Sequence, residues 1–222
     1  MYSFVPDENA RASALQAGDI DVDAVGLPPR TAEQVAQDGR LALVRIPGES
    51  TVLLLPHQNP LFADASVRQA IGLAVDRQAI AEGVFAGAAQ PTATPIAPES
   101  WAASGIEPSP RDVEQARTVL EQAGWVAGED GVRTRGGQQL AFPLTYSAGG
   151  SVANNTALAL RDQLGEIGMR VDLEGLGFDA QSDRLAQGVA TLNTQAGAYD
   201  PDLTLYRAYH SSFADDGEAP RR

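Results

Sequence analysis

Pro60-Leu61-Phe62-Ala63-Asp64-Ala65-Ser66-Val67-Arg68-Gln69-Ala70-Ile71-Gly72-Leu73-Ala74-Val75-Asp76-Arg77-Gln78-Ala79-Ile80 is the stretch around which the rest of the chain is organised. It reads as two short helices in series, continuing to Gly87. Asp64 or Ser66 caps the first, because a short side-chain oxygen accepts an orphan backbone N–H there. Val67, Ala70, Ile71, Ala74 and Val75 fall on one face at helical spacing, which predicts a buried stripe. Asp76 interrupts that face and caps the second helix. Ile80, Val84 and Phe85 continue the face, and Gly87 stops it by taking the left-handed conformation. Arg68 and Arg77 point away from the stripe, within reach of Asp64 and Asp76, and read as structural charges.

Upstream, Tyr2 to Val5 is a strand candidate and Asn9 to Gln16 a helix stopped by Gly18. Asp19 to Val22 alternates like a strand. Pro28-Pro29 breaks the chain, and Thr31 caps a small helix to Gln37. Leu41 to Ile46 and Thr51 to Leu55 read as two strands around a Pro47-Gly48 turn. Downstream, Gln90 to Pro108 is a Pro/Ala/Thr/Ser-rich surface loop, with Trp101 as its expected anchor. Ser109-Pro110 opens a helix whose buried face is Val113, Ala116, Val119, Leu120 and Ala123. Gly124 ends it and Trp125 packs back over the end. Asp130-Gly131 and Gly136-Gly137 are turn signals. Then come a strand (Leu140 to Tyr146), a helix (Val152 to Ile167, stopped by Gly168), a strand (Met169 to Leu173), a helix (Phe178 to Ala186) and a strand (Val189 to Thr194). Strands alternating with helices predict an α/β layer structure with a largely parallel sheet.

The chain has 222 residues, enough for one large domain or two small ones. Its formal net charge is −13, so no basic stripe is available to release counterions from nucleic acid. Every basic residue is Arg; Lys is absent. Without cysteine there is no disulfide, thiolate nucleophile or Cys-based zinc site. No run of about 18 apolar residues occurs. His57 and His210 stand alone, with no His-x-x-x-His pattern and no Gly-x-Ser-x-Gly elbow, and Asp215-Asp216-Gly217-Glu218 lacks the twelve-residue calcium pattern. No enzyme, metal site or cofactor is expected.

The identities in the central stretch, Pro-x-x-x-Asp-x-x-Val-Arg-Gln-Ala-Ile-x-x-Ala-Val-Asp-Arg-x-x-Ile, resemble the signature of family 5 solute-binding proteins of ABC transporters. "Ala-Leu-Gln-Ala-Gly-Asp-Ile-Asp-Val" (residues 14–22), "Ala-Arg-x-Val-Leu-Glu-Gln-Ala-Gly-Trp" (116–125) and "Leu-Arg-Asp-Gln-Leu-Gly-Glu-Ile-Gly-Met-Arg-Val" (160–171) extend the likeness in register. The resemblance implies a periplasmic-binding-protein-like (type II) lobe, a mixed, mostly parallel sheet flanked by helices. It implies that residues 1–45 are the tail of lobe I leading into the hinge. Residues 46–196 are then ligand-binding lobe II, and 197–222 a second hinge crossing and C-terminal tail. Relatives usually carry an Asn at the end of the second hinge strand, where Leu55-Pro56-His57 stands here. Residues 1–7 lack the basic and apolar regions of a signal peptide, so the chain reads as an internal piece of a longer, extracytoplasmic protein, periplasmic or a cell-surface lipoprotein.

Two elements are candidates for ligand contact. The loop Tyr146-Ser147-Ala148-Gly149-Gly150-Ser151 joins a strand to a helix N-terminus, where free N–H groups suit a polar ligand group and glycines admit it close to backbone. Read from its residues alone it is an ordinary strand–helix turn. The resemblance places Tyr146, Ser147, Gly149, Gly150 and Ser151 at the cleft between lobes. The second element is Gly197, Tyr199 and Asp200, before Pro201. Tyr199 can stack on a ligand, and Asp200 serves equally as a turn residue. Peptide-binding relatives place an Arg in the first loop and an Asp just before the Asp-Pro; here the matching positions hold no Arg and Gly197. An uncharged or differently charged solute, such as a sugar or an opine-like compound, is therefore expected alongside peptides. The implied function is solute capture by closure of two lobes and delivery to a membrane permease. The alternative is a receptor-like lobe acting as a regulatory or protein-interaction domain of a longer chain.

Overall fold

The computed structural model describes residues 3–37, 39–45, 49–94, 96, 100–102, 105–196, 201–202 and 205–206. The helices are α1 Glu8–Ala17, α2 Pro29–Ala36, α3 Pro60–Ala63, α4 Ala65–Ala74, α5 Arg77–Gly83, α6 Val113–Gln122, α7 Ser151–Gly165 and α8 Phe178–Ala186. The strands are β1 Glu49–Leu54, β2 Val126–Ala127, β3 Arg133–Arg135, β4 Gln138–Gln139, β5 Ala141–Ser147, β6 Arg170–Leu176 and β7 Ala190–Ala196.

The central stretch folds as its sequence dictates. Asp64 caps α4 by accepting from Ser66 N, and Asp76 caps α5 by accepting from Ala79 N. Val67, Ala70, Ile71, Ala74 and Val75 are all buried. One further turn, α3, precedes them, capped by Asn59 with Pro60 at its first position. It delivers Phe62 edge-on to Phe142 of β5, ring centroids 5.0 Å apart.

The main sheet runs β1-β7-β5-β6, with β7, β5 and β6 parallel and β1 antiparallel on the edge. Alternation splits it into two faces. Phe142, Leu144, Val171, Leu173, Ala190 and Leu192 face the layer of α4, α6 and α7, and form the core with Leu120, Trp125, Leu160 and Leu164. The opposite face carries Thr145, Thr191 and Glu174, and α8 lies there: Arg184 makes a two-pronged ion pair with Glu174 at 2.7–3.0 Å. Thr145 and Thr191, paired in register, share a buried hydroxyl–hydroxyl bond of 2.8 Å.

The arginines have a common task. None of α1–α7 has a basic residue in its own last turn. For six of the seven, all but α2, arginines from elsewhere donate to carbonyls at or just past the C-terminus instead. Arg40 reaches Gln16 O of α1, Arg68 reaches Phe62 O and Ala63 O of α3, and Arg111 reaches Ala74 O of α4. Arg77, on the helix that follows, turns back to Gly72 O and Val75 O at the same end of α4. Arg30 reaches Gly83 O of α5, Arg135 reaches Ala123 O after α6, and Arg117 reaches Glu166 O after α7. A guanidinium there satisfies orphan carbonyls and opposes the negative end of the helix dipole. Arg68 and Arg77 are thus structural, but their partners are carbonyls rather than Asp64 and Asp76. Asp64 pairs with Arg135 at 2.7 Å, and Arg135 also lies over the Trp125 ring, 4.4 Å from its centroid.

The small antiparallel sheet β2-β3-β4, closed by Gly136-Gly137, is pinned to the body by Arg133. This side chain is buried and donates to Ile167 O (3.0 Å), Trp125 O (2.9 Å) and Glu121 Oε1 (3.0 Å). Gly168 makes room for it: a Cβ there would lie 2.8 Å from Arg133 Cγ, and its φ is +80°.

Several local expectations are corrected. Residues 3–5, 19–22 and 41–45 form no strand, because the described sheet positions are filled by other segments. The early region is organised instead by Arg11, which pairs with Asp23 at 3.1 Å and donates to Val5 O, Pro6 O and Gly26 O. Thr31 lies inside α2, which begins at Pro29 without a side-chain cap. Asp112, not Ser109, caps α6, accepting from Gln115 N at 2.8 Å. Trp101 is 78% exposed and anchors nothing.

Candidate functional site

The connections leaving β5 and β6 part company at their carboxyl ends. After β5 the chain turns through Ala148–Gly150 into α7, on the core face. After β6 it turns through Gly177 into α8, on the opposite face. Tyr146 and Glu174 prove the two sides: Tyr146 bonds Asn154 of α7, and Glu174, of opposite alternation, bonds Arg184 of α8. Adjacent parallel strands whose connections diverge leave a crevice between their ends, the place where open α/β sheets bind ligands.

The loop residues line this crevice. Ser147 is exposed at the end of β5, opposite Leu176, and Ala148 N donates to Leu176 O at 2.8 Å, tying the two turns together. Gly149 has a φ of +93° and is exposed. Gly150 is the N-cap of α7 and, like Gly177 before α8, offers no side-chain cap. The first amides of both helices are therefore free of local side-chain acceptors. Ser151 N sits 3.5 Å from Glu8 Oε2, on the N-terminal segment. Residues 146–151 and 175–178 contain no charged side chain, so the crevice offers amides, hydroxyls and aromatic surface.

Tyr146 lies lower than its neighbours. It is half-buried, packs on the core beneath the first turn of α7, and donates to Asn154 Oδ1 at 3.1 Å. Its ring crosses Gly175, where a Cβ would meet Tyr146 Oη at 3.1 Å. Gly197, Tyr199 and Asp200 lie outside the described residues. The strand that leads to them, β7, runs parallel to β5, so Ala196 ends at the same sheet edge.

Phe178 is the residue that sequence reasoning missed. It opens α8 directly after Gly177 and is 79% exposed. The available signal was an aromatic at the first position of a helix following a strand, where burial is not required. Among the described residues no group of three or more His, Asp or Glu is placed to hold a metal ion, and no helix is long and apolar enough to cross a membrane.

The layer is a mixed, mostly parallel sheet flanked by helices, with its crevice at the strand ends and Glu49 of β1 paired with Ala196 of β7 at that edge. The family comparison agrees: the model for bacterial extracellular solute-binding proteins, family 5 Middle, matches residues 1–216, and the chain belongs to that family. Protein XP55 of Streptomyces lividans is 34% identical over 213 residues, covering 95% of this chain and 39% of that protein. The oligopeptide-binding protein AppA from Bacillus subtilis, solved with a nonapeptide, superposes with a TM-score of 0.82 at 26% identity, covering 95% of this chain and 43% of that one. NikA from Brucella suis, solved with Fe(III)-EDTA, gives 0.80 at 29% identity, covering 92% and 43%. The chain thus spans about two-fifths of the length of these relatives.

Proposed function

We infer that this chain is part of the solute-binding component of an ABC transporter. Residues 46–196 form one wall of the binding cleft, 1–45 the tail of the other lobe leading into the hinge, and 197–222 the second hinge crossing and C-terminal tail. The observation that carries this is the divergence of β5 and β6 around an uncharged, glycine-lined crevice with Ser147, Gly149, Gly150, Ser151 and exposed Phe178 at its rim. Tyr146 supports the rim from below, and Tyr199 and Asp200, the remaining sequence candidates, follow β7 in the chain. In this reading the protein works outside the cytoplasm, periplasmic or lipid-anchored, and passes its solute to a membrane permease. Relatives solved with a nonapeptide or with Fe(III)-EDTA support a polar solute. The missing Arg in the loop and Gly197 in place of an Asp favour one that is not gripped by charge at both ends, such as a sugar or an opine-like compound.

One wall buries only one side of a ligand, and hydrogen bonds on an open face compete with water. Calorimetric titration of peptides, sugars and nickel complexes against the 222-residue chain and the full-length protein tests this. Tight binding is expected only for the full-length protein. Tight, specific binding by the shorter chain contradicts the two-walled reading.

A further inference from the structure

The N-terminal segment meets the rim of the crevice at a single charged side chain. Glu8 lies in the first turn of α1, but that helix is already capped by Asp7, which accepts from Ala10 N at 2.8 Å. The Glu8 carboxylate turns outward instead, to Ser151 N at the start of α7, 143 residues away in sequence. At 3.5 Å the contact is at the outer limit of a hydrogen bond, so most of its energy is that of a carboxylate facing the positive end of a helix. Helix α7 needs such a group, for its own N-cap is Gly150 and its loop carries no charge. The segment bearing Glu8 is otherwise lightly attached. Among the described residues of the first 45, only Ala12 and Val35 are buried. Arg30 also ties it to the body, donating to Gly83 O at 3.3 Å.

We propose that Glu8 is a latch: carried on the N-terminal segment, it supplies the cap that α7 lacks and holds that segment against the candidate site when no solute is bound. A consequence follows for selectivity, and this part rests on the site proposed above. A negative charge already standing at the α7 N-terminus disfavours any solute that would present a carboxylate there. Glu8 precedes β1 in the chain and Ser151 follows it; in the two-lobe reading proposed above, separating the two parts of the molecule breaks the contact, and breaking the contact eases their separation.

The test uses the full-length protein with Glu8→Gln, Glu8→Ala and Ser151→Pro. The last removes the Ser151 N–H at a helix position where proline is tolerated. Spin labels at Ser13 on α1 and Arg161 on α7 report the separation of the two parts without solute. The wild type is expected to favour the shorter separation, and both Glu8 variants to shift the distribution outward. Trialanine and its C-terminal amide then report selectivity. Glu8→Gln is expected to raise the affinity ratio in favour of the free carboxylate about two- to fivefold, the range for one charge at a helix end. An unchanged label separation in both Glu8 variants overturns the latch, whatever the affinity ratio does. A shifted separation establishes it. If the separation shifts while Ser151→Pro and Glu8→Gln leave both probes' affinities unaltered, the latch stands and the placement of the solute at the α7 N-terminus falls.

Discussion

Replacing Arg133 by Met removes a guanidinium that three elements share. Nε and Nη1 hold Ile167 O beyond α7 and Trp125 O beyond α6, and Nη2 holds Glu121. Met keeps most of the side-chain volume, so the cavity contribution is small. What remains is two buried carbonyls stripped of this donor, at about 1–3 kcal/mol each. The relief of no longer burying a charge offsets part of that. A net loss of about 2–4 kcal/mol is therefore expected, a large part of the ~5–15 kcal/mol stability of an ordinary domain. Urea unfolding of the chain, followed by Trp fluorescence, reads this directly. At a mid-range urea slope of about 2 kcal/mol per molar, the midpoint moves down by roughly 1–2 M. Arg133→Lys should fall between, since one ammonium cannot span the three acceptors in a fixed fork. If Arg133→Met shifts stability by less than about 0.5 kcal/mol at unchanged slope, the small sheet is not pinned by Arg133 and the reasoning fails.

Gly168→Ala should destabilise by about 1–3 kcal/mol through its positive φ and its clash with Arg133 Cγ, and less than additively with Arg133→Met; a double-mutant cycle in urea checks the coupling. Burial alone raises the Asp64 carboxyl, but hydrogen bonds from Ser66 and Arg135 and the Arg135 charge outweigh it and hold it below its ordinary value of 3.8. Its contribution to stability is therefore full above that ordinary value and lost as pH falls through the lowered folded one. Melting curves of wild type and Asp64→Asn should differ at neutral pH and converge in acid; a gap that persists at the lowest pH contradicts the pairing. Ile71→Asp should unfold the chain, because a carboxylate at that buried position has no partner, whereas Tyr146→Phe should cost only about 1 kcal/mol, the loss of one hydrogen bond to Asn154. Hydrogen exchange should find residues 3–25 opening more readily than 67–75; equal protection refutes the light attachment of the N-terminal segment.

The helices were legible where a short polar cap preceded an apolar stripe: Asp64 before Val67 and Asp76 before Ala79 are local chemistry, readable residue by residue. The stops at Gly18, Gly124 and Gly168 were equally local, each with a positive φ, whereas α5 ends at Gly83, short of the stop expected at Gly87. Strands were legible only where a partner exists. Leu41 to Ile46 has the composition of a strand, but among residues 41–45 no ladder forms, and nothing in the segment itself announces that. The arginine contacts were illegible for the same reason. Arg133 meets Ile167 34 residues on, and Arg11 meets Asp23 only because the chain folds back. The loop Tyr146–Ser151 was legible as a candidate from its glycines and its place between strand and helix. Phe178 was not, since an aromatic in an amphipathic helix reads as core until the strand order shows it at an open edge. Tyr146 shows the reverse: its position at a strand end suggested a rim residue, while alternation turns it toward α7 and lays it across Gly175.

The central claim, that the carboxyl edge of β5 and β6 receives the solute, is tested most directly by hydrogen exchange on the full-length protein. The measurement is made with and without whichever of the titrated peptides, sugars or nickel complexes binds. Added protection is expected at the amides from Ala148 to Ala153 and from Gly177 to Asp179, with none at β2-β3-β4, which lies by the C-terminal end of α7, away from the crevice. Solute-dependent protection confined to other segments, with both turns exchanging as before, contradicts it.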